Sequence, residues 1–307
     1  MTGVITTGNI SPLLQEGVNK VFGRGYQSHQ TQWNMLYNTE QSKKAFEQDQ
    51  QFEGFGLAPE KKEGSGVAYD SQQAGFSPKF LNLTYAKGFI VTKEAMADNL
   101  YHLFDKRALA LAFSMQQTKE NVGANIYNRG FNPAFLMTGG DGVELFSELH
   151  VNGPSDSTTF SNELATPAAL SEASLEDLLI QINEATDPRG LRIALRGERL
   201  IVPPKLGFEA ERILNSVLQN DTGNNAINAV RATGMLPAGH MVNNYLTSNT
   251  AWFIKTNAPD GMKYFTRQGV EFQQDMDFGT SNARFKAEER YAFGWSDARG
   301  CYASAGV

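Results

Sequence analysis

Asp277-Phe278-Gly279-Thr280-Ser281-Asn282-Ala283-Arg284-Phe285-Lys286-Ala287-Glu288-Glu289-Arg290-Tyr291-Ala292-Phe293-Gly294-Trp295-Ser296-Asp297-Ala298-Arg299-Gly300 is the stretch that decides how this chain is read. Phe285, Ala287, Tyr291, Phe293 and Trp295 alternate with Arg284, Lys286, Glu288, Arg290 and Ser296. A period of two describes a long strand with one apolar and one charged face. Only Glu289 breaks the apolar series. Asp297-Ala298-Arg299-Gly300 then predicts a turn. The stretch carries no catalytic signature. It predicts a closing strand of a sheet, in a protein built to pack against copies of itself.

Working back from that strand, Leu200-Ile201-Val202-Pro203-Pro204 reads as a buried strand and hinge leading into a helix with Phe208, Ile213, Leu214, Val217 and Leu218. Strands are expected at 241–246 and 252–255. Ser174-Leu175-Glu176-Asp177 resembles a capping box, with Leu175, Leu178, Leu179 and Ile182 on one helical face. Gly139 to Asn162 is rich in Gly, Ser and Asp, with a short strand expected at 143–146. Thr92 offers an N-cap for a helix running to about Arg129, with an apolar stripe through Met96, Leu100, Leu103, Phe104, Ala108, Leu111, Met115, Val122 and Ile126. Such a helix is roughly 55 Å long at ~1.5 Å per residue.

Residues 52–91 read as a long hairpin. Phe52, Phe55 and Leu57 lead out; Leu81, Leu83, Tyr85, Phe89 and Val91 return; Glu60-Lys61-Lys62-Glu63 marks the polar tip. A two-stranded ribbon of this length is marginal alone in water and needs a partner surface. Residues 1–51 are polar and weakly periodic, with seven glutamines between Gln27 and Gln51. Gly23-Arg24-Gly25 interrupts any helix before them, so an extended arm lying across another surface is expected.

The closing stretch resembles the C-terminus of the major capsid (head) proteins of tailed phages, the Hong Kong 97-type fold family. The residues that carry this are Phe278, Asn282, Arg284-Phe285-Lys286, Glu289-Arg290, Gly294-Trp295, Asp297, Arg299-Gly300 and Ala303-Ser304. Ala251-Trp252-Phe253-Ile254 with Arg267 and Glu271, and the Leu200–Pro204 hinge, add to the resemblance, as does the order of elements. It implies an α+β fold with an N-terminal arm (1–51), an extended hairpin loop (52–91), a peripheral domain with a long spine helix (92–164), an axial domain (165–268) and the peripheral domain's closing strands (269–307).

The implied work is self-assembly into pentamers and hexamers of an icosahedral head enclosing the viral genome, without enzymatic activity. The hairpin tip (Glu60, Lys61, Lys62, Glu63) and arms (Phe52, Phe55, Tyr85, Phe89) are the expected assembly contacts, and Arg290, Trp295 and Arg299 mark the closing strand. The segment from Asn220 to Asn249 is expected near the capsomer axis. Implied partners are a portal protein and packaged DNA held without sequence-specific binding. Many relatives begin with a long, cleaved, helical scaffolding segment; here the hairpin starts about 50 residues from Met1, which favours a separate scaffolding protein. Some relatives join the loop to a neighbour through a lysine–asparagine isopeptide bond. At Lys61 and Lys62 a solvated tip is the favoured reading, because Glu60 and Glu63 favour charged ammonium groups.

Composition agrees with a globular protein. The 307 residues are 41% hydrophobic and 20% charged, and the formal net charge of −6 argues against tight nucleic-acid binding by the ordered body. No basic run exceeds a pair such as Lys43-Lys44 or Lys106-Arg107. There is no run of 18 apolar residues to span a membrane and no signal-peptide pattern at the N-terminus. A single cysteine, Cys301, excludes an intrachain disulfide and fits a reducing compartment, so assembly in host cytoplasm before release as a virion is the expected course.

Catalytic and metal signatures are missing from the sequence. His29, His102, His150 and His240 lie far apart, and Cys301 has no cysteine partner for a zinc site. Gly139-Gly140-Asp141-Gly142 lacks the Lys-Ser/Thr of a phosphate loop and the terminal Glu of a calcium loop. No nucleophile elbow or triad context is present. No catalytic, cofactor-binding or metal residue is assigned. Two other readings stay open: an encapsulin-like compartment of the same fold that encloses a cargo enzyme, and a cytosolic hydrolase with a scattered carboxylate site.

Overall fold

The computed structural model describes residues 11–92, 94–95, 101–154, 156–219, 226–277, 279–280 and 282–307, without the side chains of 11–17, 101–105 and 156–157. Twelve strands are named among these residues: β1 (Asn38–Gln41), β2 (Phe46–Gln48), β3 (Lys79–Leu81), β4 (Leu83–Val91), β5 (His150–Gly153), β6 (Asp156–Phe160), β7 (Gly197–Val202), β8 (His240–Val242), β9 (Trp252–Thr256), β10 (Met262–Met276), β11 (Ala283–Trp295) and β12 (Cys301–Ser304). The helices are α1 (Ser11–Gln27), α2 (Tyr101–Asn128), α3 (Glu172–Asn183), α4 (Gly207–Asn215) and α5 (Ala229–Thr233).

Two four-stranded sheets organise the chain. The first has the order β1-β10-β11-β4, with β10 and β11 an antiparallel hairpin, β4 antiparallel to β11 and β1 parallel to β10. The strand predicted from alternation is β11. Phe285, Ala287 and Tyr291 are buried on the face that α2 covers, while Arg284 and Lys286 point to solvent. The second sheet, β12-β9-β7-β8, is buried on both faces. Leu200, Val202, Trp252, Ile254 and Tyr302 meet α3 and α4 on one side, and Ile201, Phe253, Cys301 and Ala303 meet α2 and the first sheet on the other. Burial on both faces explains why these strands read as continuous apolar runs.

The sheets meet where β10 and β12 begin. A Cβ on Gly300 would lie 2.2 Å from the Gly261 Cα, so both positions require glycine for the backbones to pass. Ser296 N donates to Gly261 O (3.0 Å) and Asp297 N to Asp260 O (2.8 Å), which fixes the turn after β11.

Several expectations need correction. The N-terminal segment is not an extended arm over its described length: α1 runs through Gly23 and Gly25 and packs on its own chain, with Val18 and Phe22 against Leu111, Ala112, Met115 and Phe285. A Cβ on Gly25 would lie 2.7 Å from Leu109 Cδ2, so glycine here serves close helix packing. The hairpin also differs. Its arms are β2 and β3, and Phe52 is bridged to Ala74. Tyr85 and Phe89 belong to β4 in the first sheet, because the apolar face of β11 offers them Tyr291 and Phe285 as partners.

The long helix is described over Tyr101–Asn128, about 42 Å at ~1.5 Å per residue. Ala95 N donates to Thr92 Oγ1 (3.3 Å), as the expected cap requires. Met96 and Leu100 lie outside the described residues, and the side chains of His102, Leu103 and Phe104 lie outside them too. The capping box of α3 sits one turn earlier than read, at Ser171 with Ser174 as its third residue. Residues 143–146 bend rather than form a strand, and the strands here are β5 and β6. The boundary drawn at 268/269 falls inside β10, whose buried start Met262–Phe265 hides the alternation that begins at Thr266. The last strand, β12, lies in the second sheet.

Candidate functional site

The feature that stands out from the two-sheet body is the loop between β2 and β3. Its arms are held by short pairing and by Asp49 N to Pro78 O (3.0 Å), Gln51 N to Phe76 O (2.9 Å) and Glu53 N to Gln73 O (3.0 Å). Beyond Glu53 the chain carries little regular pairing, yet it presents large apolar side chains to solvent: Phe52 is 63% exposed, Leu57 82% and Tyr69 96%. Glu60, Lys61, Lys62 and Glu63 are all exposed at its tip. Phe55 is exposed as well; Tyr85 and Phe89 are half-buried in β4.

The base of the loop is tied down by charge. Lys263, buried on β10, reaches Asp49 at 2.5 Å, Asp260 at 3.0 Å and Glu40 at 3.5 Å. Burial disfavours its ammonium, but the hydrogen bonds to Asp49 and Asp260 prevail and raise its pKa. Ser296 Oγ donates to the same Asp49 carboxylate (2.5 Å), and Gln51 Nε2 donates to Ser296 O (2.5 Å). Further out, Arg189 pairs with Asp70 at 2.9 Å, and Gly56 N donates to the same carboxylate. The loop therefore leaves the body from a rigid foot.

Of the three residues expected on the closing strand, Arg290 and Trp295 lie on β11 and Arg299 in the turn that follows it, and all three serve the chain's own fold. Trp295 is buried between the sheets beside Phe135. Arg290 Nε donates to Asn82 O (3.0 Å), joining β11 to the strand junction at β3 and β4. Arg299 is 6% exposed, lies 3.8 Å over the Phe160 ring and donates to Asn152 and Asp297. None of the three presents an open face to a partner.

Sequence reasoning missed a buried ionic centre, although the break at Glu289 marked it. Glu289 is 1% exposed, and Lys119 of α2 meets it at 2.5 Å. Tyr26 of α1 donates to the same oxygen (2.9 Å) and accepts from Lys119 (2.7 Å). Lys119 also lies over the rings of Tyr26, Trp33 and Tyr291 at 5.2–5.7 Å. Burial, then the Glu289 charge, pushes the Tyr26 and Tyr291 hydroxyls far above their usual range, and burial raises Tyr264 to about 12. Next along the helix, Glu120 accepts from Gln32 N (2.7 Å) and Trp33 N (3.0 Å), although burial raises its pKa. This cluster staples the N-terminal segment to α2 and β11. It offers no open approach for a substrate.

Other apolar side chains are exposed on α4 and in the segments between α4 and α5: Phe208, Val217, Leu218 and Ile227, with Leu218 bridged to Ile227. Asn220–Asn225 lie outside the described residues. Among the described residues no three His, Cys, Asp or Glu side chains are grouped to hold a metal ion. Nor is any helix among them long and apolar enough to cross a membrane.

The model of the phage capsid protein family matches residues 83–304. No curated protein matches the chain. Solved structures match over nearly its whole length. One from Mycobacterium phage Patience is 11% identical over 97% of this chain and 88% of that one, with a TM-score of 0.55. The procapsid of bacteriophage JBD30 is 14% identical over 98% and 76%, with a TM-score of 0.51. A virus-like particle from Pyrococcus furiosus is 12% identical over 94% and 98%, with a TM-score of 0.50. Likeness at these identities establishes the fold.

Proposed function

The chain belongs to the phage capsid protein family, and from that premise we propose how it works as the major capsid protein of a virion head. Copies of the chain build the head shell. The loop between β2 and β3 reaches onto a neighbouring protomer, and the exposed Phe208, Val217 and Ile227 around α4 turn toward the axis of each pentamer or hexamer. The exposure of Phe52, Leu57 and Tyr69 carries this reading. Apolar groups of this size on one ribbon, held at a rigid foot and uncovered by their own chain, mark an interaction surface. Covering them in a closed, symmetric assembly removes that cost.

The role is structural rather than enzymatic. The finer partners follow from chemistry. With a net charge of −6, the wall contains DNA without gripping it. A portal protein and a separate scaffolding protein complete the head, and assembly takes place in host cytoplasm. A second reading, a cargo-enclosing compartment of the same fold, draws on the likeness to the Pyrococcus furiosus particle.

Sedimentation of the expressed protein through a sucrose gradient, with nucleic acid and protein assayed in each fraction, tests these readings. Fast-sedimenting shells are expected, able to take up DNA when portal and packaging proteins are present. Shells that hold a protein other than the scaffold, and no DNA when portal and packaging proteins are present, overturn the head reading in favour of the compartment. A species that stays monomeric with scaffold supplied overturns both.

A further inference from the structure

On α3 and its C-cap, Asp177, Ile180, Gln181 and Glu184 recur at three and four residues and so share one face, while Leu175, Leu178, Leu179 and Ile182 enter the core. That outer face borders a groove of about 380 Å³ whose other side includes Phe160 and Arg299. Asp177 is exposed and Ile180 is 55% exposed. Among the described residues the Glu184 carboxylate meets only the exposed Arg192, at 3.5 Å. Arg299 is buried, and its Nε has no hydrogen-bond partner. A groove with two carboxylates at its rim and an apolar sill suits a segment that carries ammonium groups on alkyl stems.

One segment of this chain has that make-up. Glu60-Lys61-Lys62-Glu63 is exposed, and none of the four side chains has a hydrogen-bond or ion-pair partner among the described residues. From Gly54 to Lys62 an extended chain spans roughly 30 Å, far enough to leave its own body.

We propose that the groove beside α3 receives the Glu60–Glu63 tip of a second copy of the chain. Lys61 and Lys62 meet Asp177 and Glu184 with their alkyl stems over Ile180. The proposal rests on the shell reading above and names the surface that the loop engages. Exposed pairs contribute little affinity each. Their work is to set register, because like charges brought together are strongly disfavoured.

The test is charge exchange in the full chain, read as the yield of sedimenting shells. K61E/K62E and D177K/E184K are each expected to lower the yield about tenfold, and the four substitutions together to restore it to within about twofold. In a separate variant, Lys62→Cys with Glu184→Cys is expected to give intersubunit disulfides in assembled shells, Cys301 being buried. Circular dichroism checks folding, and D177N/E184Q, with a milder expected loss, replaces any lysine variant that unfolds. A combined variant no better than the worse pair, or shells without the disulfide, overturns the proposal while the shell reading stands. A wild-type chain that forms no shells overturns the shell reading itself.

Discussion

Lys119 and Glu289, 2.5 Å apart beneath Tyr26, Trp33 and Tyr291, are the pair on which the packing of α2 against the first sheet turns. Two buried charges cost desolvation that their attraction only about repays, but removing one strands the other. Lys119→Met is therefore expected to destabilise the protomer by about 3–5 kcal/mol, and adding Glu289→Leu to recover most of that loss. Denaturant unfolding of the two variants checks it; equal stability would remove the pair from the account. Glu163 gives a pH-dependent counterpart. Burial, then Glu148 and Glu144, raises its pKa, and His150 opposes them. A carboxyl raised on folding binds its proton better in the native state, so stability falls as pH rises from its unfolded value through its folded one. Glu163→Gln is expected to stabilise the chain at pH 7 and to leave it unchanged below the unfolded value, which thermal unfolding across pH will show.

At the scale of elements, α1 and the loop behave oppositely. The first is folded onto its own chain; the second is held at its foot and by Arg189, with its tip exposed. Phe22, stacked 4.6 Å from Phe272, is the main apolar anchor of α1. Phe22→Asp is expected to detach the helix at a cost of about 3 kcal/mol or more, seen as faster tryptic cleavage at Lys20 and Arg24 with the two sheets intact. Unchanged cleavage would mean that α1 is held elsewhere. The elements that were legible in the sequence are those whose burial follows a simple period: β11 with one face covered, α2 with one stripe, and the doubly buried β7 and β9. Helix α1 was hidden because Gly23 and Gly25 read as breakers, although Gly25 is there to let α1 approach Leu109. The foot of the loop was hidden because Lys263, Asp49 and Ser296 are brought together only by tertiary folding. Glu289 was visible as an anomaly, but its partner lies far away on α2, at a position that a helical stripe cannot distinguish.

For the whole molecule, the two sheets and α2 close apolar cores within one protomer, while the loop leaves large apolar side chains uncovered by its own chain. The buried Trp295 and Arg299, first read as markers of the closing strand, hold the sheets of a single chain together. The surfaces that remain for neighbours are the loop with its tip, the groove beside α3 and the exposed apolar side chains around α4. A chain of this kind completes its burial only in company, and its family is one of phage capsid proteins. Negative-stain electron microscopy of the purified full-length protein, with a size-exclusion profile of the same sample, tests this most directly. Closed shells, or rings of five and six copies, are the predicted result; a persistent monomer or dimer, even with a scaffolding protein supplied, would contradict it.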